Sequence, residues 1–420
     1  MELDITFTRA RFPAFSAPAL GEIAFFENAG GSYACDSVVH RLDRFYRERK
    51  VQPYGFSPVS RAGGEEMDEA RSRLAAYLQV QTDELSFGPS TSQNTYVLAQ
   101  AFRRWLAPGD AIVVTNQDHE ANSGPWRRLA EEGLTVREWR IDPDTGALDP
   151  DDLAPLLDER TKLVCFPHCS NVIGEINPVA RICEMAHDAG AYTCVDGVSY
   201  TPHGLPDVAA LGADIYLFSS YKTYGPHQGV MVVRAGLSGA LPNQGHFFNA
   251  DVPYKRLTPA GPDHAQIAAC AGIADYLDAM AAHHVGGDAA DRADLAADIP
   301  ARRALTHRLM REHETRLLGP LLEHLAGRSD LRLLGPRDAS RRAPTVSVVH
   351  ERPARELAGE LEARGIAAGA GDFYARRTLE AMGIDADQGV LRLSFVHYTT
   401  QEEVTRLIGA LDEVLGRGSG

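Results

Sequence analysis

Short apolar runs alternate with amphipathic stretches between residues 85 and 235. The spacing between the runs leaves room for helices, such as the one predicted from Pro178 to Ala189. Apolar runs separated by helices are typical of a mostly parallel sheet that is covered on both faces. The pattern therefore predicts an α/β fold. The runs are AIVVT (111–115), TKLVCFP (161–167), AYTCVD (191–196), ADIYLFS (213–219) and GVMVVR (229–234).

A second unit of mixed structure is expected after this sheet. The segment 278–330 is rich in Ala, Leu, Arg and Glu at helical spacing, and it predicts a long connecting helix. Strand character resumes at TVSVVH (345–350) and GVLRLSF (389–395), so we expect a smaller α+β domain. The predicted large domain covers residues 15–275, the small domain with its connecting helix covers 1–14 and 276–420, and the Ala/Asp-rich stretch 283–298 is expected to be a loop.

Length and charge indicate which classes of molecule the protein is expected to bind. The 420 residues, 44% of them hydrophobic, are enough to bury a large core. The 57 acidic residues outnumber the 42 basic ones, which gives a net charge of -15, and neither sign gathers into long blocks. This charge pattern argues against a nucleic-acid or acidic-membrane partner. A small-molecule substrate is the better expectation.

Cysteine usage and the lack of targeting signals predict a cytoplasmic protein. The six cysteines lack CxxC spacing and three lie in apolar runs, so we interpret them as reduced thiols rather than metal ligands. No stretch approaches the roughly 20 apolar residues of a membrane span. The first residues also lack a basic region followed by an apolar one. No membrane partner is expected.

Polar residues close the apolar runs, and ligands of open α/β sheets bind at the carboxyl ends of strands. Asp196 ends one run and Lys222 follows the next. His119 lies just past AIVVT, Asn171 lies just past TKLVCFP, and the hydroxyl cluster Ser90–Ser92 opens a helical pattern. Each has a structural interpretation when taken alone: a helix cap, a turn residue, a loop histidine, or a lysine at the wet end of a strand. Together they supply what one aldehyde cofactor needs.

Six longer motifs occur in order along the chain. They are FFENAGGS, DHEANSGPW, HCSNVIGEINP, VDGVSYTPH, SSYKTYGPHQG and LRLSFVHYTTQEEV. In this order they resemble the class V aminotransferase-fold group, which contains cysteine desulfurases and selenocysteine lyases, and several ordered motifs are more specific than any one of them. The resemblance covers nearly the whole chain. It implies a fold type I enzyme with a seven-stranded type of sheet, the cofactor pyridoxal 5′-phosphate (PLP), and a homodimer.

For the cofactor, the resemblance implies a role for each polar residue at a strand end. Lys222 would hold PLP as a Schiff base and move the proton at the substrate α-carbon, which requires a lowered pKa. Asp196 would pair with the protonated ring nitrogen, so that the ring accepts electrons. His119 would stack on the ring, and Asn171 would hydrogen-bond its phenolic oxygen. The other implied cofactor contacts are Thr91, Ser92 and Ser219 around the phosphate at a helix N-terminus, together with Ser199 and Tyr221.

For the substrate, the resemblance implies that Arg392 clamps the α-carboxylate with two parallel hydrogen bonds. The N-terminal loop would place Asn28, Ala29 and Gly30 near the same substrate. Aromatic residues on loops line pockets or cover apolar surface, and this adds further candidates for the pocket wall. These candidates are Tyr54, Arg61, Phe373 and Tyr374.

The chain departs from the desulfurase pattern at the residue that receives the sulfur. Desulfurases carry a nucleophilic cysteine on a loop before the final strand, whereas the corresponding stretch 365–377 has none and no cysteine follows Cys270. A persulfide relay is therefore not expected, because the attacking thiolate is missing. Ser199 and Tyr221 also replace a glutamine and a histidine of the family, and Pro262 replaces a threonine that the neighbouring subunit gives to the phosphate.

Two enzymatic functions are compatible with these residues. The first is a PLP-dependent carbon–sulfur lyase that acts by β-elimination on cysteine or a cysteine S-conjugate. The second breaks another bond at the same carbon, through decarboxylation-coupled oxidative deamination, transamination or racemisation in natural-product biosynthesis. A non-catalytic PLP-binding protein is disfavoured because Asp196, Lys222 and Arg392 are all retained. A nicotinamide-binding Rossmann protein is disfavoured because no GxGxxG turn follows the first strand.

Overall fold

Twelve strands are present in the part of the chain that the computed structural model describes, residues 2–286, 295 and 297–416. They form one sheet of seven strands and one of five. In chain order the strands are β1 (Ala24–Phe26), β2 (Leu85–Gly88), β3 (Ala111–Thr115), β4 (Thr135–Trp139), β5 (Thr161–Pro167), β6 (Tyr192–Asp196), β7 (Ile215–Ser219), β8 (Gly229–Val233), β9 (Arg332–Leu333), β10 (Thr345–Val349), β11 (Ile366–Gly371) and β12 (Val390–Ser394).

The large sheet has the strand order β2-β8-β7-β6-β5-β3-β4. Neighbouring strands from β7 to β4 run parallel, while β8 is antiparallel to both β2 and β7. All five apolar runs singled out in the sequence form strands of this sheet. The prediction of an α/β fold with a mostly parallel, seven-stranded sheet is therefore confirmed.

Helices cover both faces of the large sheet because alternate residues of a strand point to opposite faces. Ile112 and Val114 pack with Phe102 on one face, whereas Val113 packs with Leu74 on the other. The helices are α1 (Ile5–Arg9), α2 (Asp36–Glu48), α3 (Pro58–Leu78), α4 (Thr91–Trp105), α5 (Glu120–Arg127), α6 (Val179–Asp188), α7 (Val208–Leu211), α8 (Ala235–Ala240), α9 (Pro253–Arg256), α10 (His264–Ala269), α11 (Ala271–His284), α12 (Ile299–Ala326), α13 (Ala354–Glu362), α14 (Arg376–Ala381) and α15 (Gln401–Leu415).

The small sheet has the order β1-β11-β12-β10-β9 and combines both ends of the chain. Strand β1 pairs in parallel with β11, with Ala24 opposite Ile366. The sequence-based division placed this strand inside the large domain, 15–275. Because its backbone hydrogen bonds go to the C-terminal sheet, we propose that the small domain also takes in residues 24–26. The other domain limits stay predictions.

The segment 278–330 is not one continuous helix. Helix α11 ends at His284, and α12 begins at Ile299 with the Asp298 side chain accepting the Ala301 N–H at 2.9 Å. An aspartate cap followed by proline in the first turn is a start signal that favours a new helix here. Residues 287–294 and 296 of the predicted loop 283–298 lie outside the described residues.

None of the helices in the described ranges is both long and apolar enough to cross a membrane.

Candidate active site

Polar residues lie at the carboxyl ends of four neighbouring parallel strands. Asp118 and His119 follow β3, Asn171 follows β5, Asp196 ends β6, and Lys222 follows β7. All five line one cavity of about 290 Å³. This volume lies near the lower end of the range for small-molecule sites, about 300–1,000 Å³. The sheet topology therefore gathers residues from distant parts of the sequence at the edge where α/β proteins bind ligands.

Lys222 lies at the end of a single 3₁₀ turn, Ser220–Lys222, directly after β7. Only 8% of the residue is exposed. Burial, together with the charge of Arg392, lowers the pKa of Lys222 to about 8, while Asp196 acts in the opposite direction. At neutral pH roughly a tenth of such an amine is uncharged, against less than about a thousandth at the ordinary lysine pKa. The buried amine can therefore act as a nucleophile or a base.

Asp196 offers a fixed carboxylate on the neighbouring strand. Its Oδ1 accepts the Val198 N–H at 2.8 Å, and the residue is buried. Burial raises the pKa of Asp196 to about 6, although the Val198 hydrogen bond and the charge of Lys222 lower it. The carboxyl group is therefore mostly ionised at neutral pH, and it can pair with a protonated ring nitrogen.

His119 is the N-cap of α5, so its ring is held in place by the backbone. Its Nδ1 accepts the Ala121 N–H at 3.0 Å. Burial and the charges of Lys222 and Arg392 lower the pKa of His119 to about 3, so the ring is neutral at physiological pH. Because Nδ1 accepts a hydrogen bond, the ring hydrogen is on Nε2. A neutral, flat and immobilised ring is suited to stacking on an aromatic ligand.

The N-terminus of α4 forms the anion-binding end of the cavity. Ser90 caps this helix, and Thr91 Oγ1 and Ser219 Oγ lie 2.8 Å apart as hydrogen-bond partners. Ser92 and Ser90 also line the cavity. The first backbone N–H groups of a helix have no intrahelical partner, and the helix dipole favours an anion there. Four hydroxyls beside such a terminus suit a phosphate group.

Arg392 borders the cavity through Asn171. Its Nη1 donates to the Asn171 carbonyl at 3.1 Å, and the Asn171 Nδ2 donates to the Phe373 carbonyl at 2.9 Å. Arg392 Nε and Asn171 Oδ1 are buried, and neither has a hydrogen-bond partner among the residues that the structure describes. Burial lowers the pKa of Arg392 to about 10, with Glu27 acting in the opposite direction, so the guanidinium is charged at neutral pH. A buried charged donor without an acceptor is suited to an anionic ligand.

The structure brings all of the predicted cofactor contacts together. All nine line the same cavity, and they come from four strand ends and one helix N-terminus. They are Thr91, Ser92, His119, Asn171, Asp196, Ser199, Ser219, Tyr221 and Lys222.

The predicted substrate contacts Arg392, Asn28, Ala29, Gly30 and Tyr374 do not line this cavity. Asn28 Nδ2 donates to two backbone carbonyls, and Asn28 Oδ1 accepts the Tyr398 hydroxyl. The Ala29 N–H donates to Ser394 Oγ at 2.9 Å. This loop nevertheless adjoins the site, because a Cβ added at Gly31 would lie 3.4 Å from the Tyr221 ring. Tyr374 is 72% exposed, with its ring centroid 5.2 Å from that of His119. The substrate roles of these residues stay predictions.

Asp118 is a candidate that sequence reasoning did not assign. It is 2% exposed, its Oδ2 accepts the Asn122 Nδ2 at 2.7 Å, and its Oδ1 has no partner. Burial and the nearby charge of Asp196 hold the pKa of Asp118 well above its usual range. The signal was present in the sequence, since Asp118 directly precedes His119 at the end of a buried run.

The residues around the cavity fit a phosphorylated pyridine aldehyde such as PLP. A lysine with a lowered pKa suits the aldehyde, a buried carboxylate suits a protonated ring nitrogen, and hydroxyls at a helix N-terminus suit the phosphate. Asn171 Oδ1 and Asp118 Oδ1 are buried polar atoms without partners in the wall of this cavity. Buried polar atoms without partners are uncommon, and a polar ligand explains their place here.

The chain is similar to known proteins over nearly its whole length. The chain matches the family "Aminotransferase class-V" over residues 24–280 and 294–407. It is 34% identical to the aminotransferase-like protein FGM3 of Gibberella zeae, over 97% of each chain, and 30% identical to a cysteine desulfurase of Serratia proteamaculans, over 99% of each chain. Its fold is similar to that of the cysteine desulfurase CsdA of Escherichia coli, with a TM-score of 0.80, 24% identity and 99% of each chain covered.

Proposed function

The chain belongs to the class V aminotransferase family and is a PLP-dependent enzyme, and on this basis we propose that it is a carbon–sulfur lyase. Its substrate would be cysteine or a cysteine S-conjugate, and its reaction a β-elimination without an enzyme cysteine. The observation that carries the proposal is the burial of every cysteine thiol in a chain that otherwise offers the residues for PLP chemistry.

The residues of the cavity would hold PLP as follows. Lys222 bonds the aldehyde carbon, Asp196 holds the protonated ring nitrogen, and His119 stacks on the ring. Asn171 donates to the phenolic oxygen, and the hydroxyls at the N-terminus of α4 bind the phosphate together with Ser219. When bound, PLP withdraws electrons from the α-carbon of an amino acid and so makes its bonds easier to break.

The proposed elimination needs one base and one carboxylate clamp. Arg392 would bind the substrate carboxylate. The amino group of the substrate would take the place of Lys222 at the aldehyde carbon, and the freed neutral amine of Lys222 would remove the α-proton. The electron pair of that C–H bond forms the Cα–Cβ double bond while the Cβ–S bond breaks, and the sulfur leaves as a thiolate with its electron pair. Water then converts the released 2-aminoacrylate to pyruvate and ammonia.

The thiols of the chain are poorly suited to take the sulfur. All six cysteines are free and buried, and the segment 365–377 contains none. Burial raises the pKa of the Cys35 thiol to about 11 and the pKa values of Cys169, Cys183 and Cys270 to about 12. Cys169 lines the cavity, yet a thiol with this pKa is almost entirely protonated near neutral pH, and the thiolate is the nucleophile.

Product analysis tests this proposal directly. Purified holoenzyme is incubated separately with cysteine and with S-alkyl and S-aryl cysteine conjugates, and thiol, keto acid, ammonia and carbon dioxide are measured. Pyruvate, ammonia and thiol released in equal amounts support β-elimination. Carbon dioxide with an aldehyde, or a keto acid that keeps the substrate side chain, would contradict it.

The second candidate breaks a different bond at the same α-carbon. It includes decarboxylation-coupled oxidative deamination and transamination of an intermediate in natural-product biosynthesis. This second candidate is supported by the sequence identity to an "aminotransferase-like" protein, which is higher than the identity to the desulfurase. The carbon dioxide and keto-acid measurements above distinguish this candidate from the lyase.

Asp118→Asn is expected to have little effect on cofactor affinity and turnover. We propose that Asp118 carries the proton of the Asp118–Asp196 pair, since two buried carboxyl groups in one cavity do not readily ionise together. Asparagine resembles a protonated aspartate, so cofactor affinity should stay within about threefold and turnover within about fivefold. Equilibrium dialysis of PLP and steady-state kinetics measure the two quantities. A loss as large as that of Asp196→Asn would contradict the assignment.

We also propose that the enzyme is a homodimer. Several apolar side chains are exposed, and the two segments that carry most of them adjoin, because Tyr54 and residues of 246–255 line one cavity. Exposed apolar patches of this kind mark protein interfaces. The side chains are Tyr46, Val51, Tyr54, Phe56, Phe247 and Phe248.

The double variant Phe56→Asp, Phe247→Asp is expected to dissociate this dimer. Two charges placed on a buried apolar interface should weaken association about 100-fold or more. Sedimentation velocity over a range of concentrations measures the change. A wild-type protein that stays monomeric at tens of micromolar would contradict the dimer, and a double variant with unchanged association would contradict the choice of surface.

The proposed compartment is the cytoplasm. Six free cysteines, all buried, are compatible with a reducing environment, in which thiols stay unpaired.

A further inference from the structure

The segment 371–375 forms the outer cover of Arg392. It follows β11, and its two aromatic residues are consecutive in the left-handed region, with φ of 51° at Phe373 and 57° at Tyr374. Non-glycine residues adopt this conformation only where surrounding contacts hold them there. Two such contacts are hydrogen bonds from Asn171 Nδ2 to the Phe373 carbonyl, 2.9 Å, and from the Glu120 N–H to the Tyr374 carbonyl, 2.8 Å.

The aromatic ring of Phe373 lies on the guanidinium of Arg392. The Cζ of Arg392 is 3.6 Å from the ring centroid. A Cβ added at Gly369 would be 3.0 Å from two atoms of the same ring, so the ring is packed closely from the strand side. Arg392 is 3% exposed, whereas the neighbouring Tyr374 faces solvent. Phe373 therefore separates the charge of Arg392 from water.

The stacked ring uses only one face of the guanidinium. The donors of a guanidinium lie in its plane, and stacking on a face leaves them free for hydrogen bonds. Of these donors, Nη1 is bonded to the Asn171 carbonyl, and Nε is buried without a partner. The edge that carries Nε is therefore the part of Arg392 that lacks an acceptor.

We propose that Phe373 is a positioning and specificity-determining residue, which fixes the plane of Arg392 so that its Nε edge binds one free carboxylate of the substrate. This inference rests on the proposed function, in which Arg392 clamps the substrate. Because the ring excludes water, the hydrogen bonds from guanidinium to carboxylate form in a low-dielectric environment, where they are stronger. The enzyme should therefore select free amino acids over amines, esters and amides that lack a carboxylate.

Phe373→Leu tests this inference. The affinities of the holoenzyme for L-alanine and for ethylamine are compared, and binding is measured by the change in absorbance of the bound cofactor. Leucine keeps an apolar side chain but removes the aromatic face. The Kd of L-alanine should rise about tenfold, which corresponds to the free energy of one desolvated cation–π contact. The Kd of ethylamine should not change. In turnover, KM should rise by the same factor with kcat unchanged, and Phe373→Tyr, which restores an aromatic face, should restore the wild-type values.

Phe15→Leu is the matched control, because Phe15 stacks on Arg9 at 3.7 Å and neither residue lines the cavity. It should leave the affinity for L-alanine unchanged. If Phe373→Leu binds L-alanine as well as the wild type or more tightly, the inference is wrong, since the ring is then a spacer or an obstacle.

Arg392→Ala separates this inference from the proposed function. If Arg392→Ala weakens L-alanine binding but Phe373→Leu does not, only the role of Phe373 fails. If neither variant weakens it, the assignment of Arg392 as the carboxylate clamp fails as well.

Discussion

Replacing Lys222 by alanine is expected to lower turnover at least about 10⁴-fold, because one change removes both the covalent attachment of the cofactor and the base at the α-carbon. The protein should still fold, since alanine fits the 3₁₀ turn that carries residue 222. Borohydride reduction followed by mass spectrometry measures the attachment: the wild type should gain one cofactor mass on the peptide that contains residue 222, and the variant none.

The pH dependence of cofactor uptake gives an independent test of the same amine. Only uncharged lysine attacks an aldehyde, and the pKa of Lys222 is about 8. Uptake by the cofactor-free wild type should therefore accelerate about tenfold per pH unit below pH 8 and level off above it. Lys222→Arg keeps the charge but lacks the nucleophile, and it should show no covalent uptake at any pH. Trapped cofactor in either variant would contradict the assignment of Lys222.

Asp196→Asn is expected to lower turnover about 10²–10³-fold, the range seen when one electrostatic partner of a reacting group is removed. The amide has nearly the shape of the carboxylate but cannot balance the charge of a protonated ring nitrogen, so the ring would accept electrons less well. The measurements are steady-state kinetics and the pH titration of the cofactor absorbance, whose midpoint should move in the variant. Asp118→Asn provides the matched control, because it makes the same chemical change in the same cavity, at the end of β3, which β5 separates from β6.

If the kinetics of Asp196→Asn were unchanged, the carboxylate that pairs with the ring nitrogen would have to be a different residue. If Asp118→Asn were the damaging change, the ionised group would be Asp118. Equal damage from both would mean that the two carboxyl groups share one proton as a single unit.

Five strands of the large sheet, β3 and β5 to β8, were predictable because buried strands are continuous apolar runs, and this pattern is local in sequence. The two edge strands β2 and β4 were not singled out. Residues that follow such runs must meet at one edge, which is why Asp196, Lys222, His119 and Asn171 could be named together before the structure. The roles of these residues stay proposals, whereas the fold and the family are confirmed.

Features that depend on long-range pairing were not predictable. Strand β1 has only three residues, too few for a period-2 pattern to indicate which sheet it joins. The stacking of Phe373 on Arg392 depends on two left-handed residues whose conformation tertiary contacts impose, and no local propensity favours it. Asp118 was not assigned a role, although it directly precedes His119, because the burial of a polar side chain cannot be judged from its neighbours in sequence alone.

The pairing of β1 with β11 has a consequence for how the chain is made. Ala24 is synthesised long before its partner Ile366. During translation the large sheet can assemble while the first strand waits without its neighbour, and such non-local contacts form slowly. Nascent chains cut off before β11 should therefore expose the β1 segment to proteases, and the Asn28 loop should acquire its final shape only after β11 and β12 have been synthesised.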